Sequence, residues 1–216
     1  MFEIIYGTGN GAKITYMKDA LKSLPIKIVG LHEAAAKRGI ELSDIKETGT
    51  NPLENARLKA EGYYRLFKSP VFSCDSGIYL WNYVTGEPLP AEEQPGLHVR
   101  GDGKRRLSDE ELLVYYIGLV KKYGQVCGRF KNGICLMWNE ETRAESMTED
   151  IWGEPFLLTD VPHAKKVEGF PLDRISLDIS TRKYVYDLEE SGGEEEAASR
   201  GFEKFFRQFL AERGII

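Results

Sequence analysis

The sequence predicts a mixed α/β fold, and three observations carry the prediction. A short apolar run, Phe2 to Tyr6, breaks at glycines and gives way to apolar residues at helical spacing. A sharp helix start follows at Asn51-Pro52. Two alternating segments then flank Asn139 to Thr142 and read as a hairpin. Strands and helices that alternate early and a long hairpin later suit a mixed sheet flanked by helices. With 216 residues, 42% of them hydrophobic, the chain can bury a sizeable core. That length admits one large domain or two small ones, and the expectation is a single domain over residues 1–216.

Phe2 to Tyr6 has strand character, and Ile14, Met17, Leu21 and Leu24 recur as one face of a helix. The intervening loop, Thr8-Gly9-Asn10-Gly11-Ala12-Lys13, therefore lies between a buried strand and a helix start, where free amides attract phosphate. Lys13 can add a point charge there. Neither G-x-x-x-x-G-K-[ST] nor G-x-G-x-x-G occurs, so an ordinary turn with a solvated lysine stays open. Asn51 suits an N-cap, Pro52 the first helical position, and Glu54 the third, where it can reach back to the cap amide. Leu53, Ala56, Ala60, Tyr64 and Phe67 mark the core face of this helix. Asn55 and Lys59, four apart, share another face. By itself Lys59 also reads as a surface lysine, and Glu47 as a solvated loop acid. Val71 to Cys74 reads as a buried strand, with Asp75-Ser76-Gly77 at its end before a second apolar run, Ile78 to Trp81. Asp75 is either a turn residue or a carboxylate at the edge where open α/β sheets bind ligands.

Thr85 to Arg106, rich in Pro, Gly and charge, is expected to be a mobile loop. Ser108-Asp109-Glu110-Glu111 is a capping box for a helix carrying Leu112, Tyr116 and Leu119 and stopped by Gly124. Gln125 to Trp138 and Arg143 to Trp152 form the predicted hairpin, and Arg174 to Ile179 a further strand. Glu189 to Glu196 reads as a solvated acidic loop and helix start. A last helix from about Glu194 places Ala198, Phe202, Phe205, Phe206 and Phe209 on one core face. His32, His98 and His163 have no partner at ligand or triad spacing and read as surface or capping residues.

A net charge of −5 and the lack of a basic stripe interleaved with aromatics argue against a nucleic-acid partner. Three cysteines, Cys74, Cys127 and Cys135, are odd in number and lack metal spacing, so they read as reduced thiols in a cytoplasmic protein. No long apolar segment suggests a membrane partner, and no G-x-S-x-G supports a serine hydrolase. What the polar segments offer together is two carboxylates, two lysines and backbone donors, the requirements of a metal triphosphate site.

On these segments the chain resembles the inosine triphosphate pyrophosphatase family. The family pattern has T-x-N-x-x-K after the first strand, matched at Thr8 to Lys13. E-T-G-x-[TS]-x-x-E-N-A-x-x-K-A follows, matched at Glu47 to Ala60. Downstream the match loosens while the order persists. Cys74-Asp75-Ser76-Gly77 keeps one acid of D-D-S-G, and Pro95-Gly96 with Arg100 keeps the next element. Phe170-Pro171-Leu172-Asp173 keeps the ends of F-G-[YW]-D, and Ser199-Arg200 keeps the arginine of S-H-R. A family lysine falls on Glu194.

The resemblance implies an elongated mixed sheet with two lobes and a central nucleotide cleft, commonly as a homodimer. It implies Mg²⁺-dependent attack of water on the α-phosphorus of a nucleoside triphosphate, releasing pyrophosphate and a monophosphate. Glu47 and Asp75 would hold the metal, and Asp75 would be the base. Thr8, Gly9, Asn10, Lys13, Asn55, Lys59 and Ser76 would bind phosphate. Phe170, Asp173, Ser199 and Arg200 would hold the base. Cys74 removes one negative charge, and Leu172, Glu194 and Ser199 cannot repeat the usual base contacts. An altered base preference is therefore expected. A nucleotide sensor that binds without hydrolysis is the alternative.

Overall fold

The computed structural model describes residues 1–100, 105, 107–168, 170–190 and 197–216. The strands are β1 Phe2–Tyr6, β2 Ile26–Gly30, β3 Val71–Asn82, β4 Val126–Met137, β5 Arg143–Ser146, β6 Phe156–Leu158 and β7 Ser176–Asp178. The helices are α1 Gly11–Ala20, α2 Leu31–Arg38, α3 Pro52–Phe67, α4 Asp109–Tyr123, α5 Val185–Glu190 and α6 Ala197–Ala211. One seven-stranded sheet runs β2-β1-β3-β4-β6-β7, with β5 also paired to β4. Pairing is parallel for β1 with β2 and β3, and antiparallel for β4 with β5 and β6 and for β6 with β7. The expected mixed α/β class is borne out.

The chain forms two compact units, Met1–Ser76, Lys131–Trp152 and Glu196–Ile216 in the first, Gly77–Phe130 and Gly153–Glu195 in the second. In the first unit the strand period of two sorts side chains to opposite faces. Ile4, Tyr6, Phe72, Cys74, Ile134 and Leu136 pack with Met17 and Ala20 of α1 and with Ala198, Phe202, Phe206 and Phe209 of α6. Ile5, Val71, Cys135 and Met137 face the other way, against Ala34 and Ala35 of α2 and Ala56, Ala60 and Phe67 of α3. The phenylalanine stripe of α6 is thus core, with the Phe206 ring edge-on to Phe72 at 5.1 Å. In the second unit, Ile78, Leu80, Val126, Phe156 and Leu158 pack with Leu112, Tyr116 and Leu119 of α4 and with Leu172 and Ile175.

Several expected boundaries move. The predicted strand Arg143 to Trp152 ends at Ser146, because the Ser146 hydroxyl accepts the Thr148 N–H and turns the chain into a 3-10 segment, Glu149–Ile151. Arg174 to Ile179 is not one strand. Pro171–Ile175 is a 3-10 turn, its Pro supplying a fixed φ and its Leu172 carbonyl accepting from the Ser176 hydroxyl, and only Ser176–Asp178 is extended. β2, α2, β6 and α5 stand where no element was expected. Glu54 reaches Thr50, one residue beyond the expected cap amide. Within Thr85 to Arg106, the Gln94 side chain bonds both backbone groups of Leu80. Residues 101–104 and 106 of that loop, and 191–196 of the acidic run, lie outside the described residues.

The largest departure is β3. Asp75-Ser76-Gly77 does not end a strand but lies inside one continuous twelve-residue strand. Its parallel neighbour ends first: β1 pairs through Tyr6 with Phe72, and Gly7 N–H caps the ladder on the Phe72 carbonyl. Asp75 is therefore three residues beyond the last parallel pair, still extended and at the carboxyl end of β1.

Candidate active site

The helix that builds the site starts as its sequence dictates. Asn51 Oδ1 accepts the Glu54 N–H at 3.0 Å, Pro52 occupies the first turn, and Glu54 accepts from both the Thr50 N–H and hydroxyl. One turn on, Asn55 is 3% exposed. Its Oδ1 accepts the Gly49 N–H at 2.8 Å, and its Nδ2 donates to Asp75 Oδ2 at 3.1 Å. Another turn on, Lys59 Nζ donates to Asp75 Oδ1 at 3.2 Å and pairs with Glu47 Oε2 at 2.9 Å. The side-chain period of the helix thus puts one amide and one ammonium on the two oxygens of Asp75 and draws the Glu47 loop to the same point.

Burial works to lower the Lys59 pKa, but the Asp75 and Glu47 carboxylates outweigh it and hold the ammonium above its usual value. Cys74, beside Asp75, is buried and its thiol is pushed up to about 12, so it stays neutral and adds no charge at neutral pH. All three cysteines are free and buried.

The glycine loop approaches from β1. Asn10 caps α1 by accepting the Ala12 and Lys13 N–H groups at 2.9 and 3.2 Å, and Thr8 Oγ1 accepts the Asn10 N–H at 3.2 Å. The loop therefore satisfies three of the amides expected to face phosphate and, among the described residues, leaves those of Gly9 and Gly11. Lys13 makes no ion pair among the described residues. Gly7 is required by closeness, since a Cβ there would lie 2.3 Å from Ser73 Oγ and 2.9 Å from the Tyr63 ring.

Gly7, Thr8, Gly9, Glu47 and Lys59 line a cavity of about 460 Å³ together with Asp44, Ile45 and Tyr63. The last three were not singled out from sequence as site residues. For Tyr63 the signal was present: it follows Lys59 by four and Asn55 by eight. His32, expected at the surface, is exposed and lies over the loop, its Nε2 2.8 Å from where a Gly9 Cβ would stand.

α3 is anchored behind the site. Arg57 grips Glu145 of β5 through two bonds of 2.8 Å, and Arg143 adds a third to the same carboxylate. At Gly133 of β4 a Cβ would come within 2.4 Å of the Leu53 nitrogen, so strand and helix backbones touch.

The remaining predicted residues stand elsewhere. Ser76 donates to Asn132 Oδ1 at 2.7 Å. Ser199 is buried and Arg200 exposed at the start of α6, in the first unit. Phe170 is exposed and Asp173 half-buried around the 3-10 turn of the second unit. Glu194 lies outside the described residues.

These features define an α/β protein with a polar cavity at the carboxyl end of parallel strands, walled by a glycine loop and by Glu47 and Lys59, whose ammonium also reaches Asp75. The chain belongs to the Ham1 family, whose model matches residues 4–154. It is 25% identical to a dITP/XTP pyrophosphatase of Vibrio parahaemolyticus over 81% of this chain and 80% of that one. To a dITP/XTP pyrophosphatase of Coxiella burnetii it is 24% identical over 88% and 86%. The solved HAM1 protein of Coxiella burnetii shares the fold, with a TM-score of 0.70 and 21% identity over 98% of this chain and 100% of that one. The resemblance read from the motifs is thereby borne out. Among the described residues no helix is long and apolar enough to cross a membrane.

Proposed function

We propose that the chain is a nucleoside triphosphate pyrophosphatase, hydrolysing the α–β phosphoanhydride to a monophosphate and pyrophosphate, as a single catalytic domain over residues 1–216. The observation that carries this is the Asp75 carboxylate, held at both oxygens by Asn55 and Lys59 and joined through Lys59 to Glu47 beside the cavity. Family membership and relatives named dITP/XTP pyrophosphatases support it.

The donor chemistry fits Mg²⁺. Among the described residues no three His, Cys, Asp or Glu side chains gather as a cage, but this ion keeps waters and takes one or two carboxylates plus phosphate oxygens. Glu47 and Asp75 would hold it, and when bound it would supply positive charge to the phosphate oxygens. Asp75, oriented by two donors, accepts the proton of the attacking water at a carboxylate oxygen. Lys59 balances the charge that develops on phosphate, and Lys13 does so from the loop, with the Gly9 and Gly11 amides as further donors. Thr8 and Asn10 shape that loop, and Ser76 fixes β3 beside it.

Purine triphosphates such as those of inosine, deoxyinosine or xanthosine are the substrate class, with Phe170, Asp173, Ser199 and Arg200 at the base. A serine and a glutamate where the family pattern has histidine and lysine make base selection less sharp. We further read the protein as a cytoplasmic homodimer that removes unwanted nucleotides. The neutral Cys74 thiol favours a second reading, a sensor that binds triphosphate without turnover.

A screen of nucleoside triphosphates with Mg²⁺, measuring each product separately, tests the proposal. Monophosphate with pyrophosphate is expected. Diphosphate with phosphate would refute the bond assignment, and tight binding without any product would leave the sensor.

A further inference from the structure

α3 presents Asn55, Lys59 and Tyr63 at intervals of four, so the three share one face. The first two are fully engaged with Gly49, Asp75 and Glu47. Tyr63 is not. It is 8% exposed and lines the cavity, yet its hydroxyl has no hydrogen-bond partner among the described residues. A hydroxyl that no protein acceptor engages and that is not sealed from solvent is available to a ligand entering the cavity.

The ring cannot turn away freely, because the Gly7 backbone lies so close that a Cβ there would clash with it. The surroundings of the phenol bear on its protonation state. Burial first, then Asp44 and Glu47, raise its pKa, while Lys59 opposes them. These are the three charged groups that line the cavity. The phenol is therefore protonated at neutral pH and able to donate.

We propose that Tyr63 is a further ligand-binding residue of this cavity, its hydroxyl donating a hydrogen bond to a phosphate oxygen of the bound triphosphate. This rests on the reading of the cavity as the phosphate end. The walls suit a phosphate that arrives with its cation: the glycine loop and the Lys59 ammonium face an anion, Asp44 and Glu47 call for positive charge beside it, and a neutral donor gains most from a charged acceptor.

The test compares Tyr63→Phe with the unaltered protein by calorimetric titration of inorganic tripolyphosphate with Mg²⁺, and of inosine alone. Losing one hydrogen bond to a charged acceptor should weaken tripolyphosphate binding about 10- to 100-fold. The thermal midpoint should not fall, because the hydroxyl removed has no protein partner, and any inosine affinity should be unchanged. Equal tripolyphosphate affinity in the two proteins would overturn the proposal. So would a loss confined to inosine, or no tripolyphosphate binding by the unaltered protein. If tripolyphosphate binding weakens as expected but neither protein hydrolyses any triphosphate, the pyrophosphatase reading falls while the Tyr63 assignment stands.

Discussion

Replacing Asn55 by Leu removes two hydrogen bonds from a buried position while nearly conserving volume. The Gly49 N–H loses its acceptor at 2.8 Å, and Asp75 Oδ2 loses its donor at 3.1 Å. A neutral bond contributes about 0.5–1.5 kcal/mol and one to a charged group about 1.5–3, so the pair comes to about 2–4.5 kcal/mol. In a protein of this size each kcal/mol moves the thermal midpoint by about 2–4 °C, which gives a fall of about 4–18 °C. Calorimetry of the two proteins at neutral pH measures it. Asn55→Asp is the sharper companion. It keeps the acceptor for Gly49 but sets a second anion against Asp75. Like charges raise the folded-state carboxyl pKa above the unfolded one, so this variant should gain stability relative to wild type as pH falls. An Asn55→Leu midpoint indistinguishable from wild type would show that the amide does not hold the Gly49 loop to Asp75.

Asp75→Asn should lower turnover by about 100- to 10,000-fold while triphosphate binding stays measurable, and retention of most activity would move the base role to Glu47. Gly133→Ala forces a Cβ within 2.4 Å of the Leu53 nitrogen, backbone that cannot step aside, so a loss of about 1–3 kcal/mol is expected in urea unfolding. The Arg57 bonds hold the Glu145 carboxyl below its ordinary 4.5. Its contribution is therefore complete above that value and lost as pH falls through the lower folded-state value. Wild type should lose stability in that acid window more steeply than Glu145→Gln, and parallel pH curves would contradict the assignment.

The α3 end of the site was legible because capping and helical spacing are local. Asn51-Pro52 fixed where α3 begins, and the four-residue step then put Asn55 and Lys59 on one face. Tyr63 was equally visible by spacing, but an aromatic on a helix reads as core until it is seen to line a cavity. The strand around Asp75 was misread because Asp-Ser-Gly is turn chemistry. What keeps it extended is distant: β1 stops at Tyr6, and Asn132 receives the Ser76 hydroxyl from 56 positions away. The same limit applies to Pro171–Ile175, where alternation seen from Arg174 onward outweighed the proline that starts a tight turn. Arg57 showed no sign of its role, since nothing local announces a partner on β5.

That partner has a consequence for how the protein comes into being. Asp75 and the residues placed around it, from Thr8 to Ser76, are made before β4 and β5. Yet Arg57 waits for Glu145, 88 positions later, and Leu53 for Gly133. A nascent chain that has emerged only as far as Ser76 carries every group of the carboxylate–lysine cluster but lacks the strand and hairpin that clamp α3. Contacts of such long sequence separation form late, because the loop must close before they return any stability. The cluster should thus become rigid only after β5 has left the ribosome, and until then α3 stays unclamped.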